Sequence, residues 1–160
     1  MKLTGYGSPC LDGHIFRYQR TGISFSTVTH IMANPYEYHT YLSGDGERWL
    51  SILNVDEGCP GNVREIKDDR SGLVVASIFS KDGNSYDLRY LDCIVNANEQ
   101  NGQYDFTMDG KHIGFVGEIR DSKGNRIRYP AADELRIAEF NDGLDDKLVM
   151  LLLGTEYLVY

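Results

Sequence analysis

Leu148-Val149-Met150-Leu151-Leu152-Leu153-Gly154-Thr155-Glu156-Tyr157-Leu158-Val159-Tyr160 contains only two strongly polar residues, Thr155 and Glu156. As a helix, this segment would be apolar on nearly every face, and such a helix has to be buried on all sides. The rest of the chain has the pattern of short strands. We therefore predict a mainly β fold in which a closed barrel or a deeply curved sheet surrounds a C-terminal helix.

The start of this helix is predicted from the residues that precede it. Asn141-Asp142-Gly143 is a turn signal, and Asn141 or Asp142 can cap the helix. Asp145 and Asp146 would then lie in the first turn, where negative charge suits the positive end of the helix dipole. A terminal strand is the alternative, because Tyr157–Tyr160 has strand propensity and Gly154 costs about 1 kcal/mol in a helix interior.

Strand signals recur along the remainder of the chain. His14–Arg20 and Gly22–Met32 are predicted as one hairpin, and Tyr36–Ser43 pairs with Glu47–Val55 across a Gly-Asp-Gly turn. Glu134–Phe140 is predicted as the last strand. Its predicted core-facing residues are Leu135, Ile137, Ala138 and Phe140. The count is about eleven or twelve antiparallel strands and one helix in a single domain spanning residues 1–160.

The net charge of the chain is −8, from 16 Lys and Arg against 24 Asp and Glu. This balance argues against nucleic acid as a partner and against a polybasic membrane-surface site, because both need clustered positive charge. The nearest approach to a basic patch is a group that we expect on a solvated outer face: Lys123, Arg126, Arg128 and Arg136.

The cysteines and the chain's hydrophobic pattern bear on its compartment. Cys10, Cys59 and Cys93 are widely spaced, without metal-ligand spacing, which favours a reducing, cytoplasmic location. The first residues contain no apolar signal segment. The C-terminal apolar run is shorter than the ~20 residues needed to cross a bilayer, so no transmembrane segment is predicted.

No residue is assigned a catalytic, cofactor-binding or metal-binding role. The fold could bring together the four histidines, His14, His30, His39 and His112, as metal ligands, but their spacing in the sequence does not demand it. The candidate acid–base carboxylates are expected to stabilise turns instead; they are Asp68, Asp69, Asp82, Asp92 and Asp105.

An aromatic cluster on the predicted strands Tyr36–Ser43 and Glu47–Val55 is the best binding candidate from the residues themselves. It consists of Tyr36, Tyr38, Tyr41 and Trp49. Exposed tyrosines favour recognition of partners. The alternative is that these rings form cross-strand packing pairs within the sheet.

Three stretches carry a resemblance to a known family: Arg64–Asp68 with Gly72–Ala76, Tyr104–Gly110 with Ile113–Gly117, and Leu144–Leu153. In these stretches the chain resembles the tubby C-terminal-like superfamily, which includes the LURP-one-related proteins and the phospholipid scramblases. The resemblance implies a closed barrel of about twelve antiparallel strands around a hydrophobic C-terminal helix. It also implies a lipid headgroup as partner, since tubby proteins bind phosphoinositides through basic side chains on the barrel surface.

The sequence therefore favours a non-enzymatic, soluble binding or adaptor module for a lipid headgroup or a protein partner. One alternative is a small-molecule carrier or enzyme with an open barrel cavity. Another is a membrane-associated protein that releases its C-terminal helix into lipid. The sequence makes no prediction of the oligomeric state.

Overall fold

The fold was analysed in a computed structural model of the chain. The structure describes the backbone of residues 1–10, 13–20, 23–34, 37–44, 47–54, 63–82, 84–118, 122–125 and 134–154. Side chains are described for residues 1–5, 18–19, 65–81, 84–118, 122–125 and 136–154. Within these limits the predicted class is confirmed, because the chain is mainly antiparallel β with one C-terminal helix.

Twelve strands and one helix lie within the described backbone. Their bounds are β1 Lys2–Cys10, β2 Gly13–Arg20, β3 Ile23–Asn34, β4 Glu37–Gly44, β5 Glu47–Asn54, β6 Val63–Asp68, β7 Val74–Asp82, β8 Ser85–Tyr90, β9 Cys93–Gln100, β10 Gln103–Met108, β11 Lys111–Glu118, β12 Glu134–Phe140 and α1 Asp146–Gly154. The two predicted hairpins correspond to β2–β3 and β4–β5, and the predicted last strand is β12.

Each strand pairs antiparallel with the strand that follows it in the chain. In addition β1 pairs antiparallel with β12. Met1 extends this last pairing, because its amino group donates to the Phe140 carbonyl at 2.7 Å and its carbonyl accepts from the Phe140 N–H at 2.9 Å.

Two consecutive hairpins are closed by the residues that tight turns prefer. Asn101 and Gly102 join β9 to β10 with φ of 54° and 80°, and Asp109 and Gly110 join β10 to β11 with φ of 53° and 73°. A positive φ at both central residues is the mark of a type I′ turn, whose twist matches that of the flanking strands.

The interior is filled by α1 and by alternating residues of the strands. Every residue of α1 from Leu148 to Gly154 is buried, and the helix lies closest to β3 and β4. On β8 the buried positions alternate with outward-facing ones, and the same holds for the central residues of β9. The rings of Phe106 and Phe140 stack inside with centroids 5.9 Å apart. Of the described helices, none has the length and apolarity to span a membrane.

The helix begins later than predicted, and its cap is a different residue. Asp145 accepts a hydrogen bond from the Lys147 N–H on its side chain at 2.9 Å, and from the Val149 N–H on its carbonyl at 3.0 Å. Asp145 is therefore the N-cap, and the prediction of Asn141 or Asp142 was wrong. Asn141 instead bonds the neighbouring strand, donating its side-chain amide to the His112 carbonyl at 3.0 Å. Residues 155–160 lie outside the described part.

The prediction for the inward face of β12 is confirmed for Ala138 and Phe140 and wrong for Ile137, while Arg136 is an inward residue that was not predicted. Arg136, Ala138 and Phe140 are buried, whereas Ile137 is half-buried. Leu135, the remaining predicted core residue, lies outside the described side chains.

Arg136 therefore does not belong to a solvated basic face. Its guanidinium lies 4.0 Å from the carboxylate of Glu118, and both side chains are less than a tenth exposed, at 8% and 7%. Gly5 leaves space beside it, because a Cβ there would come within 2.6 Å of the Tyr18 ring and 3.2 Å of the Arg136 Cβ. Lys123 is exposed, and the other two members of the predicted patch, Arg126 and Arg128, lie outside the described residues.

Truncation of the helix tests whether its burial stabilises the fold. We expect Leu151→Ala to lower the free energy of unfolding by about 2–5 kcal/mol, because Leu151 is fully buried and its truncation leaves a cavity. The matched control is Leu73→Ala, at a leucine that is 68% exposed, with an expected change within about 0.5 kcal/mol. Urea unfolding of both variants gives the comparison, and equal losses would contradict burial of the helix.

Candidate binding groove

A groove opens where the β6–β7 loop, the β8–β9 hairpin and the start of α1 meet. Its volume is about 500 Å³, which lies within the range of roughly 300–1,000 Å³ that ligand pockets occupy. The side chains that decide its character are three aliphatic and three charged residues: Leu73, Val74, Leu91, Asp68, Arg89 and Lys147.

The β6–β7 loop is held by the side chain of Asp68. One carboxylate oxygen, Oδ1, accepts hydrogen bonds from the N–H groups of Arg70 and Ser71 at 2.7 and 3.1 Å. The backbone of the same residue closes the loop, as its N–H donates to the Leu73 carbonyl and its carbonyl accepts from the Gly72 N–H, both at 2.9 Å. Asp68 was predicted to stabilise a turn, and this is confirmed.

The same bonds set the acidity of Asp68. Hydrogen bonds from the Arg70 and Ser71 amides favour the ionised carboxylate and lower its pKa below the ordinary value of 3.8. The positive charges of Arg70 and Lys147 act in the same direction with smaller effect. Asp68 is therefore a carboxylate already engaged by its own loop.

The β8–β9 hairpin has an unusual turn. Tyr90 pairs with Cys93, which leaves Leu91 and Asp92 as a two-residue loop. Leu91 has a φ of 52°, and Asp92 is not among the described residues with positive φ. A positive φ at a central position of a hairpin turn is normally adopted by glycine, asparagine or aspartate. A leucine there is strained, and strain of this kind concentrates at functional sites.

Of the four large aliphatic side chains that are exposed among the described residues, three line this groove, and the fourth lies on β9 next to it. They are 68% (Leu73), 47% (Val74), 72% (Leu91) and 46% (Ile94) exposed. Ile94 lies on β9 directly opposite Arg89 in the strand register. Single exposed aliphatic residues are ordinary, but a contiguous apolar patch rimmed by polar groups marks an interaction site.

Two positively charged side chains, those of Arg89 and Lys147, line the same groove. The guanidinium of Arg89 lies over the ring of Phe79, 5.4 Å from its centroid, and that contact leaves the positive charge in place. Lys147 is held in the first turn of α1 by the Asp145 cap. Exposed carboxylates, Asp69 and Asp92 among them, lie on the surrounding loops. The groove therefore combines exposed aliphatic side chains with two cations, while carboxylates lie on the loops around it.

Two polar clusters lie on the outer face of β7 to β11. Asp87 accepts from the Asn96 side-chain amide at 2.6 Å and pairs with the Lys81 ammonium at 2.8 Å. Asp105 accepts from the Gln103 amide at 3.1 Å, and its Oδ1 lies 3.3 Å from the His112 Nε2. Thus two sequence candidates, Asp105 and His112, come together on strands.

These contacts do not add up to a metal centre. Among the described residues no three His, Cys, Asp or Glu side chains are placed to hold a metal ion. The other histidines are known only by their backbone register, in which His14 lies opposite His30 and His39 lies between Ile31 and Ile52. Cys93 is a half-buried free thiol beside the strained turn.

The predicted aromatic cluster cannot be placed as a surface. Tyr36 lies outside the described residues, and the side chains of Tyr38, Tyr41 and Trp49 are not described. The backbone register sets Leu42 opposite Trp49.

The groove was missed by the sequence analysis. The one available signal was the turn Leu91-Asp92. The next two hairpins have Asn-Gly and Asp-Gly at the same turn positions, so a leucine there is unusual.

Replacing the strained leucine tests the turn. We expect Leu91→Asn to raise the free energy of unfolding by about 1 kcal/mol, because asparagine tolerates positive φ and a left-handed leucine costs about 1–2 kcal/mol. Little burial is lost, since Leu91 is 72% exposed. Asp109→Asn in the neighbouring turn is the control and should leave stability unchanged. A destabilised L91N protein in thermal and urea unfolding would refute the strain.

Acidification tests the role of Asp68. Its folded pKa is lowered, so its stabilisation is present above the unfolded value of 3.8 and is lost as pH falls through the folded pKa. We expect wild type to be more stable than Asp68→Asn near neutral pH, and this difference to shrink below 3.8. Urea midpoints of both proteins across this range measure it, and a difference independent of pH would contradict the assignment.

Comparison with known proteins adds no family to this geometry. No protein-family model matches the chain, and neither a curated protein nor a solved structure matches it. The tubby-like resemblance of the sequence therefore stays a prediction. The shape and chemistry of the groove are the basis on which a function can be proposed.

Proposed function

We propose that the chain is a non-catalytic binding module whose groove holds an apolar segment of a partner protein. The observation that carries this proposal is the gathering of exposed aliphatic side chains at one groove, with Leu73 and Leu91 the most exposed. Burying such side chains against a partner yields about 25 cal/mol per Å² of apolar surface. The loops that present them are fixed by hydrogen bonds and a tight turn, so little order has to be gained on binding.

The proposal includes the finer architecture expected from the tubby-like resemblance. We propose that the twelve strands form a closed barrel around α1. The pairing of β1 with β12 and the complete burial of Leu148–Gly154 support it. In such a barrel the helix and the inward side chains occupy the interior, which favours binding on the outside over an internal ligand cavity.

A protein partner is favoured over a lipid headgroup. Recognition of a phosphorylated headgroup needs clustered cations, and the groove has two, Arg89 and Lys147, together with the Asp68 carboxylate. The exposed acids Asp69 and Asp92 on the adjoining turns, with the chain's charge of −8, oppose an anionic membrane surface. Nucleic acid is disfavoured for the same reason.

Selection from a random peptide display library tests the proposal. We expect the wild-type protein to enrich peptides with aliphatic side chains. The double variant Leu73→Ser/Leu91→Asn should bind them on the order of ten-fold more weakly, because each change removes aliphatic contact. Both positions are exposed, so the variant should keep its fold by circular dichroism. The matched control is Asp109→Asn, which should bind normally.

Two outcomes would contradict the proposal. No enrichment, or equal binding by the double variant, would remove the groove as a peptide site. Cosedimentation with vesicles of phosphatidylcholine containing a phosphoinositide, lost in the double variant, would transfer the function to a lipid surface.

A further inference from the structure

We propose that the groove selects partner segments carrying a carboxylate beside their aliphatic side chains, and that Arg89 is the specificity-determining residue. This inference rests on the proposed function and adds the chemistry of the partner. It follows from where the cations lie within the apolar surface rather than from the overall charge, which is negative.

Arg89 is placed between aliphatic neighbours. It lies two residues before Leu91 on β8, and Ile94 is its direct register partner on β9. Side chains directly opposite on antiparallel strands are about 4.5–5.5 Å apart at Cβ. A ligand that covers Leu91 and Ile94 therefore comes within reach of the guanidinium, and burying that charge without an anion would oppose binding.

No salt bridge joins Arg89 to a carboxylate of the described residues, so a ligand can supply the anion for this guanidinium. Asp68, the carboxylate that lines the same groove, already accepts the N–H groups of Arg70 and Ser71 through Oδ1. Arg89 itself contacts the uncharged ring of Phe79, which anchors the side chain without neutralising it. Lys147, at the start of α1, adds a second positive charge to the groove. Guanidinium pairs with a planar carboxylate through two parallel hydrogen bonds, which gives geometric selectivity as well as attraction.

The strained turn sets the aliphatic half of the site. Leu91 is held at a φ of 52° with 72% of its surface exposed, where the following two hairpins use Asn-Gly and Asp-Gly. A glycine or asparagine at this position would relieve the backbone but remove the aliphatic contact. The turn thus holds a leucine at a fixed distance from Arg89 before any ligand arrives, and preorganisation of this kind raises affinity.

A matched pair of dyes tests the aliphatic surface and the cations of the groove separately. 8-Anilino-1-naphthalenesulfonate and N-phenyl-1-naphthylamine share one aromatic skeleton, and only the first carries an anion. We expect the sulfonate to bind the wild-type protein on the order of three- to ten-fold more tightly, as for contacts with two partly exposed cations. Fluorescence titration of folded protein gives both affinities.

Variants assign this preference to residues. Arg89→Gln should remove most of the preference for the sulfonate while leaving the affinity for the neutral dye unchanged. Leu91→Asn should weaken both dyes. The control is Lys2→Gln, which removes one exposed positive charge from β1 and should change neither value. Equal affinity of the two dyes for wild type, or an unchanged preference in R89Q, would overturn the role of Arg89.

Peptides then test the protein source. A selected aliphatic peptide with one glutamate beside its aliphatic residues should bind wild type several-fold more tightly than its glutamine counterpart, and the two should bind R89Q alike. Equal binding of both peptides to wild type would refute carboxylate recognition while leaving peptide binding intact. Failure of every peptide and dye would overturn the proposed function itself. Preference for phosphoinositide vesicles over both peptides would assign the cations to a lipid phosphate instead.

Discussion

The fold depends on burying a helix that has no polar face. From Leu148 to Gly154 each residue of α1 is buried, so apolar side chains are needed all around it. Strands supply such a lining because alternate residues point to one side of a sheet. The inward residues Tyr86, Leu88, Val95, Phe106 and Phe140 follow this pattern. The tight hairpins that join β8 to β11 keep consecutive strands adjacent, which lets a short chain build the apolar face that covers the helix.

This requirement explains which predictions were accessible from the sequence. An apolar run after a series of strand signals indicates both the helix and its lining. Turn chemistry is local, so Asp109-Gly110 and the loop-closing role of Asp68 could also be anticipated. The position of the cap could not, because Asn141, Asp142 and Asp145 are all good capping residues. Asn141 instead donates its side-chain amide to the carbonyl of His112, which is 29 residues away in the chain.

The inward face of β12 could be predicted only in part, for a related reason. Its sequence, ELRIAEF, offers aliphatic residues on both alternating faces, and hydrophobicity alone favours Leu135 and Ile137 inside. Glu118 on the neighbouring strand and the space at Gly5 allow Arg136 inside instead. Such compensation between strands leaves no local pattern. The groove was hidden similarly, since it joins a loop, a hairpin and a helix start that are far apart in sequence.

The pairing of β1 with β12 has a consequence for how the chain reaches this fold. Lys2 is matched with Glu139, so the final strand pair joins residues from almost opposite ends of the sequence. Contacts of such high sequence separation form late, because the loop they close costs entropy first. Until then β1 and β12 are both open strand edges that can pair with another molecule. A low protein concentration during refolding would therefore favour pairing of β1 with β12 of the same chain over exchange of strands between chains.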